Sequence, residues 1–150
     1  MKIGIAADHG GFELKQLVVQ MVKKEGYEVI DYGAHEYDRY DDYPDLIIPL
    51  AEGISKGEVQ KGIAICGSGV GASIVANKIK NVRAALITET YSAHQGVEHD
   101  ALNVICLGGR VIGQELAREI VFAFLKAVYT GEERHNRRLG KVTELEDNWK

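Results

Sequence analysis

Gly62-Ile63-Ala64-Ile65-Cys66-Gly67-Ser68-Gly69-Val70-Gly71-Ala72 is the stretch on which the reading of the fold turns. A short apolar run ends at a cysteine, and a glycine loop then opens a segment, residues 72–79, that reads as a helix. An apolar run of this length bounded by glycines fits a strand buried on both faces, the kind found in parallel sheets. A strand that passes through a glycine turn into a helix is the opening half of a βαβ unit.

The same alternation extends outward in both directions. Residues 3–7 form an apolar run that stops at Asp8-His9-Gly10-Gly11. Residues 12–25 then carry Leu14, Leu17, Val18, Met21 and Val22 at helical spacing, with Gly26 in a C-cap role. Residues 27–32 read as a second strand and 46–56 as a second helix closed by Gly57. Between them, residues 33–45 make a polar, acidic loop rich in tyrosine. Residues 82–88 read as a fourth strand, 91–99 as a helix, and 103–107 as a fifth strand closed by Gly108-Gly109. The clearest helix covers 113–129, where Leu116, Ile120, Val121, Phe124, Leu125 and Val128 make one apolar stripe.

The expected architecture is therefore α/β: a five-stranded parallel sheet with helices on both faces, in one domain over 1–150 followed by a polar tail or helix over 131–150. Right-handed crossovers restrict the topology. Ligands in such folds bind outside the carboxyl ends of the strands. Asp8-His9 after the first strand and residues 66–71 after the third are thus predicted to share one rim.

Composition narrows the function classes. Of 150 residues, 45% are hydrophobic and 27% charged, ordinary values for a globular protein. A net charge of −4 argues against a broad basic footprint for nucleic acid or membrane, so any anion site must be local. The two cysteines, Cys66 and Cys106, lie in apolar runs rather than a spaced framework, which fits a reducing compartment. The chain has no apolar run of about 18 residues. A cytoplasmic protein is expected. The histidines and cysteines show none of the usual metal-ligand spacings, so no metal is expected.

Cys66 is the foremost chemical candidate. A helix start offers free N–H groups and favours a thiolate, and glycines let backbone amides turn toward a developing anion. The bland alternative is a buried cysteine beside a tight turn; Cys106, inside the fifth strand with no such loop, is read as a buried structural cysteine. Three other meanings of the loop are weaker. Gly67-x-Gly69-x-x-Ala72 meets the loose dinucleotide pattern, with Glu89 further on, but it follows the third strand rather than the first. A cysteine-phosphatase loop wants an arginine where Ala72 stands, and no Gly-Lys-Ser/Thr triplet completes a phosphate-binding P-loop.

Asp8-His9 is either a rim pair that binds ligand or a helix cap with an exposed neighbour. His99 and Asp100 end the fourth helix, where a histidine is either a partner of the helix dipole or an acid–base. Arg134 and Arg138, four apart, would share a helix face suited to phosphate, although such runs are commonly solvated faces. Arg110 follows Gly108-Gly109 at the rim.

Taken together, Asp8-His9-Gly10-Gly11-Phe12, Asp42-Tyr43-Pro44, Cys66-Gly67-Ser68-Gly69-Val70-Gly71, Ala76-Asn77-Lys78 and Asn103-Val104 resemble the ribose-5-phosphate isomerase B family, which also holds the galactose-6-phosphate isomerase subunits. The resemblance runs from Met1 to about residue 145. It implies a Rossmann-like three-layer domain in a homodimer or tetramer with active sites shared between subunits, a sugar phosphate as substrate, and neither metal nor organic cofactor. It implies Cys66 as the base that moves a proton between C1 and C2 through a cis-enediolate. It further implies Gly67, Gly69, Val70 and Gly71 as amides that hold that anion, His99 as the group that opens the sugar ring, and Ser68 as its helper. Asp8 and Tyr43 would hold sugar hydroxyls, and His9, Arg110, Arg134 and Arg138 the phosphate. The C-terminal segment would reach the neighbouring subunit.

One position departs from the family. His99-Asp100-Ala101 stands where the family usually has His-Asn-Asp, and the asparagine there normally contacts substrate. Asp100 puts a further negative charge in that place, which opens the choice of sugar: a tetrose or hexose phosphate becomes an alternative to a five-carbon one. A phosphosugar-binding module without catalysis is the remaining class, and a thiol at a helix start would serve it no purpose.

Overall fold

Five parallel strands form one sheet, in the order β2-β1-β3-β5-β4, in a computed structural model that describes residues 1–149. The strands are β1 (Lys2–Ala7), β2 (Glu28–Gly33), β3 (Lys61–Cys66), β4 (Ala84–Leu86) and β5 (Val104–Gly108). The helices are α1 (Phe12–Lys24), α2 (Tyr43–Ser55), α3 (Val70–Ala76), α4 (Thr90–Asp100), α5 (Gln114–Lys126) and α6 (Glu133–Asp147). The three-layer α/β/α fold expected from the alternation is present, and each βα step places its helix on the face its apolar residues require.

Residues of the central strands sort by size between the two faces. Ile3, Ile5, Ile63, Ile65, Ile105 and Leu107 pack toward α1, α4 and α5. Ala6, Ala64, Cys66, Val104 and Cys106 pack toward α2 and α3. The period-2 alternation of a strand makes this division. The second face is built of small residues, so α2 approaches closely: Leu50 lies directly against Gly4. Cys66 belongs to this close-packed face, at the carboxyl end of β3.

Some boundaries differ from the sequence-based expectation. Strand β4 has only three residues rather than seven; it is the sheet edge and pairs with β5 alone. Helix α2 begins at Tyr43 rather than 46, with Pro44 in the first turn, where a missing N–H costs nothing. The polar segment after 131 is a helix, α6, with a single buried residue, His135. It shows little apolar stripe because little of it is buried; an Arg137–Glu133 pair at 2.9 Å supports it locally. No helix among the described residues is long and apolar enough to cross a membrane.

Candidate active site

The chain reverses its winding direction between β1 and β3. Helix α1 leaves β1 toward one face and α3 leaves β3 toward the other. The two loops part there and open a crevice at the carboxyl rim, as the topology requires. A cavity of about 440 Å³ occupies it, lined by Asp8, Tyr43, Cys66, Gly67, Ser68, Gly71, Arg110 and Val111. Seven of these eight were expected from the sequence; Val111 was not. The shared rim predicted for the Asp8 and Cys66 clusters is therefore present.

Cys66 is only 5% exposed, and its Sγ accepts the Gly69 amide at 3.1 Å. That bond needs Gly69 in the left-handed region, at φ +81°. A Cβ there would also stand 3.0 Å from the Leu107 carbonyl carbon, so no other residue fits. Ser68 Oγ accepts the Val70 amide at 3.3 Å. The first-turn amides of α3, those of Val70, Gly71 and Ala72, have no intrahelical acceptor by construction. With seven residues α3 is short, so these oriented N–H groups count for more than any helix dipole. Tyr43, the first residue of α2, lays its ring over Gly71; a Cβ at Gly71 would sit 2.8 Å from its Cζ.

Asp8 is 7% exposed, and its Oδ1 accepts the Gly10 amide at 2.9 Å. Burial is the main influence on its carboxyl and holds it above the ordinary range, against the pull of the Gly10 bond and His9; Asp41 adds to the rise. A carboxyl raised in the fold stabilises the protein while protonated, and that contribution is lost as pH rises through its folded value. Asp8→Asn keeps an acceptor for Gly10 and removes the charge. Thermal melts are expected to show Asp8→Asn gaining Tm over wild type at pH 7, with a smaller difference at pH 4. An equal difference at both would mean that Asp8 carries no buried charge. The buried charge is a stability cost retained at the ligand rim, as a hydroxyl-binding carboxylate would be.

His9 is held from the acidic loop. Asp41 Oδ1 accepts both its backbone N–H at 3.0 Å and Nδ1 at 2.6 Å. Tyr37 stands edge-on to His9 and Phe12, with centroids at 6.5 and 5.9 Å, so the loop closes over this corner. Tyr40 remains exposed beneath the Arg39 guanidinium, 4.7 Å from its ring centroid. Asp8, His9 and Asp41 each bring one ligand-type atom within 4.8 Å of the others. Nδ1 of His9 is already bonded to Asp41 there, which favours a hydrogen-bonded corner over a metal site. His9 does not line the cavity; Asp41 orients it. The spacing of 32 residues between them left no signal in the sequence.

Arg110 brings positive charge to the cavity mouth. Its amide donates to the Gly67 carbonyl at 3.0 Å, and no ion pair among the described residues engages its guanidinium. Behind the cavity, Cys106 is fully buried within β5, and burial pushes its thiol far above the ordinary range, so the bland reading of that residue stands.

The other expected site residues lie elsewhere on the chain. Helix α4 follows β4 and runs back toward the rim where β5 begins, so its end at Asp100 is about 16 Å from its start. His99 and Asp100 are thus carried away from the carboxyl rim that holds Cys66. His99 stacks on His135 of α6, with centroids at 4.1 Å and planes at 25°. Asp100 and Arg138 line a second, larger groove of about 710 Å³ between β4, α4 and α6. Arg134 pairs with Glu132 at 3.0 Å on the surface. A single chain therefore divides the expected set in two: base, amides and Arg110 at one rim, the histidine and two arginines on the α4–α6 side. Sorting the residues by the end of the helix they occupy would have found this from the sequence.

A Rossmann-like sheet with a thiol and a glycine-loop amide cluster at its switch point, and neighbouring carboxyl and guanidinium groups, defines an enzyme site for a small anionic substrate. A sequence profile of the ribose/galactose isomerase family matches residues 3–142, and the chain belongs to that family. It is similar to the ribose-5-phosphate isomerase B of Escherichia coli strain K12, 44% identical over 97% of this chain and 96% of that one. It is similar also to the D-erythrulose-4-phosphate isomerase of Pectobacterium atrosepticum, 40% identical over 87% and 86% of the two chains. The solved ribose-5-phosphate isomerase B of Clostridium thermocellum superposes with a TM-score of 0.95 at 47% identity over the full length of both. The chain is a sugar-phosphate isomerase of the ribose-5-phosphate isomerase B type.

Proposed function

We propose that the enzyme interconverts ribose 5-phosphate and ribulose 5-phosphate, with Cys66 as the base. The observation that carries this reading is the Cys66 Sγ at the cavity floor, beside the first-turn amides of α3. A proton next to a carbonyl is weakly acidic, and its removal needs a placed base and a prepared anion site. Cys66 takes the C2 proton of the opened aldose. The charge spreads over O1 and O2 as a cis-enediolate, held by the amides of Gly67, Gly69, Val70 and Gly71. The hydroxyl proton passes from O2 to O1 and Cys66 returns its proton to C1, which gives the ketose. Asp8 and Tyr43 hold sugar hydroxyls, and the phosphate, remote from the reacting carbons, supplies binding energy that orients them.

In this reading the second half of the site comes from another copy. His99, Asp100, Arg134 and Arg138 of one subunit, carried on α4 and α6, complete the cavity of its partner in a homodimer. The groove between β4, α4 and α6 supports this: Leu86, Val142, Leu145 and Trp149 around it are 41%, 54%, 64% and 57% exposed in the single chain, an apolar patch that calls for cover. His9, Arg110 and the partner's arginines then surround the phosphate, and His99 opens the ring with Ser68 assisting. The expected compartment is the cytoplasm.

A second reading takes a tetrose phosphate, favoured by Asp100 and by the erythrulose-4-phosphate isomerase relative. Ring chemistry argues for the five-carbon sugar. A tetrose 4-phosphate has its O4 blocked and cannot close a furanose ring, so it gives His99 no ring to open. The test is turnover of ribose 5-phosphate, erythrose 4-phosphate and a hexose 6-phosphate, assayed in the presence of a chelator. Ribose 5-phosphate is expected to give the highest kcat/KM. A higher value for the tetrose would transfer the assignment, and no turnover of any of the three would end it.

A further inference from the structure

We propose that His135 is a positioning residue for the isomerase reaction: its buried ring holds the ring of His99 in the orientation that sugar-ring opening requires. The inference rests on the reading of His99 as the ring-opening group.

His135 is 1% exposed, the one buried residue of α6. Its own position is tightly set. Nδ1 meets Thr130 Oγ1 at 2.8 Å, and the Thr130 amide donates to the Glu98 carbonyl at 3.0 Å, one residue before His99. A short chain of bonds thus ties the His135 ring to the backbone of α4 beside His99. The two rings stack at 4.1 Å and 25°, which blocks rotation of His99 about its side-chain torsions. On the ring edge, Gln95 Nε2 lies 2.9 Å from His99 Nδ1. With one face covered and Nδ1 engaged, Nε2 of His99 is the nitrogen left for substrate.

A space-filling role does not account for a histidine here. His135 Nε2 is buried with no hydrogen-bond partner among the described residues. Leaving a polar nitrogen unpaired inside a protein is costly, and leucine would fill the same space without that cost but with neither a bond to Thr130 nor a flat face for His99. Burial, then the neighbouring His99, favour the uncharged form of His135, which suits a flat ring stacked on an acid–base group.

Ring opening breaks C1–O4 and forms C1=O1, with one proton passing from O1 to O4, so no oxidant or reductant is involved. One nitrogen that reaches both oxygens suffices, and its aim decides the rate; a displacement of about 1 Å costs on the order of a hundredfold. Ribulose 5-phosphate needs no such step, because its O5 is phosphorylated and the ketose stays open. Exchange of its C1 hydrogen with solvent requires only the base and the enediolate site.

The experiment compares wild type with His135→Ala, His135→Gln and His135→Phe in two assays. One is conversion of ribose 5-phosphate to ribulose 5-phosphate. The other is deuterium uptake from D2O into C1 of ribulose 5-phosphate. His135→Ala and His135→Gln are expected to lose about tenfold or more of the conversion while exchange stays within about threefold, and His135→Phe, which restores a flat ring, to recover conversion to within about threefold. Should His135→Ala not fold, His135→Gln keeps a hydrogen-bonding group for Thr130 and gives the same reading. The proposal is overturned if conversion and exchange fall together, if neither falls, or if His135→Phe is as impaired as His135→Ala. Wild type that neither converts nor exchanges would instead overturn the proposed function.

Discussion

Cys66→Ala lowers kcat for ribose 5-phosphate by about a thousandfold, the usual weight of a placed general base, and leaves KM within about threefold. A thousandfold corresponds to about 4 kcal/mol of transition-state stabilisation. The separation of kcat from KM follows from the geometry. Arg110, Asp8 and Tyr43 line the same cavity and do not depend on the Cys66 thiol. The Gly69 amide loses its partner, yet the loop keeps its shape, because Gly108 and Leu107 of β5 pack against it. Deuterium uptake into C1 of ribulose 5-phosphate falls with kcat, since both need the same proton transfer. Steady-state kinetics together with the exchange assay check this, and a variant that keeps kcat within tenfold of wild type would show that another group is the base.

Mixing two inactive variants restores activity. Cys66→Ala disables the rim half of the site, and His99→Asn disables the half carried on α4. In the proposed homodimer, each variant alone has two damaged sites. Random exchange of subunits makes about half the dimers mixed, and each mixed dimer has one site with both lesions and one with neither, so activity recovers to about a quarter of wild type. The measurement is turnover before and after the two purified variants are denatured and refolded together, with each variant refolded alone as control. Recovery cannot occur if each chain carries a complete site. No recovery, with mixed dimers demonstrated by mass, would overturn the shared site. The prediction rests on where α4 ends: its last residues, His99 and Asp100, lie at the far end of the helix from the Cys66 rim.

These two expectations draw on different parts of the molecule, and the parts differ in how legible they were beforehand. The first rests on Cys66 and its loop, which could be read from a few adjacent residues. An apolar run, a cysteine and four glycines within residues 62–71 define a strand, a turn and a helix start with no distant partner required. Asp8 and Arg110 were placed at the same rim by one topological rule applied to the strand ends.

The second rests on the end of α4, which helical spacing places, but the contacts around the site are ones that no local pattern announces. His9 is aimed by Asp41, 32 residues away, and that link is a hydrogen bond rather than a periodicity. His99 meets His135 across two helices that the apolar pattern does not pair, because α6 buries a single side chain and so carries almost no stripe. The class of fold, the thiol and its amide loop were determined by the sequence alone, since turn chemistry and strand or helix period act over a few residues. The corner that holds His9 and the stack that holds His99 were decided only by the tertiary structure. Each depends on the direction in which a helix leaves the sheet and on groups that meet only after the sheet has formed.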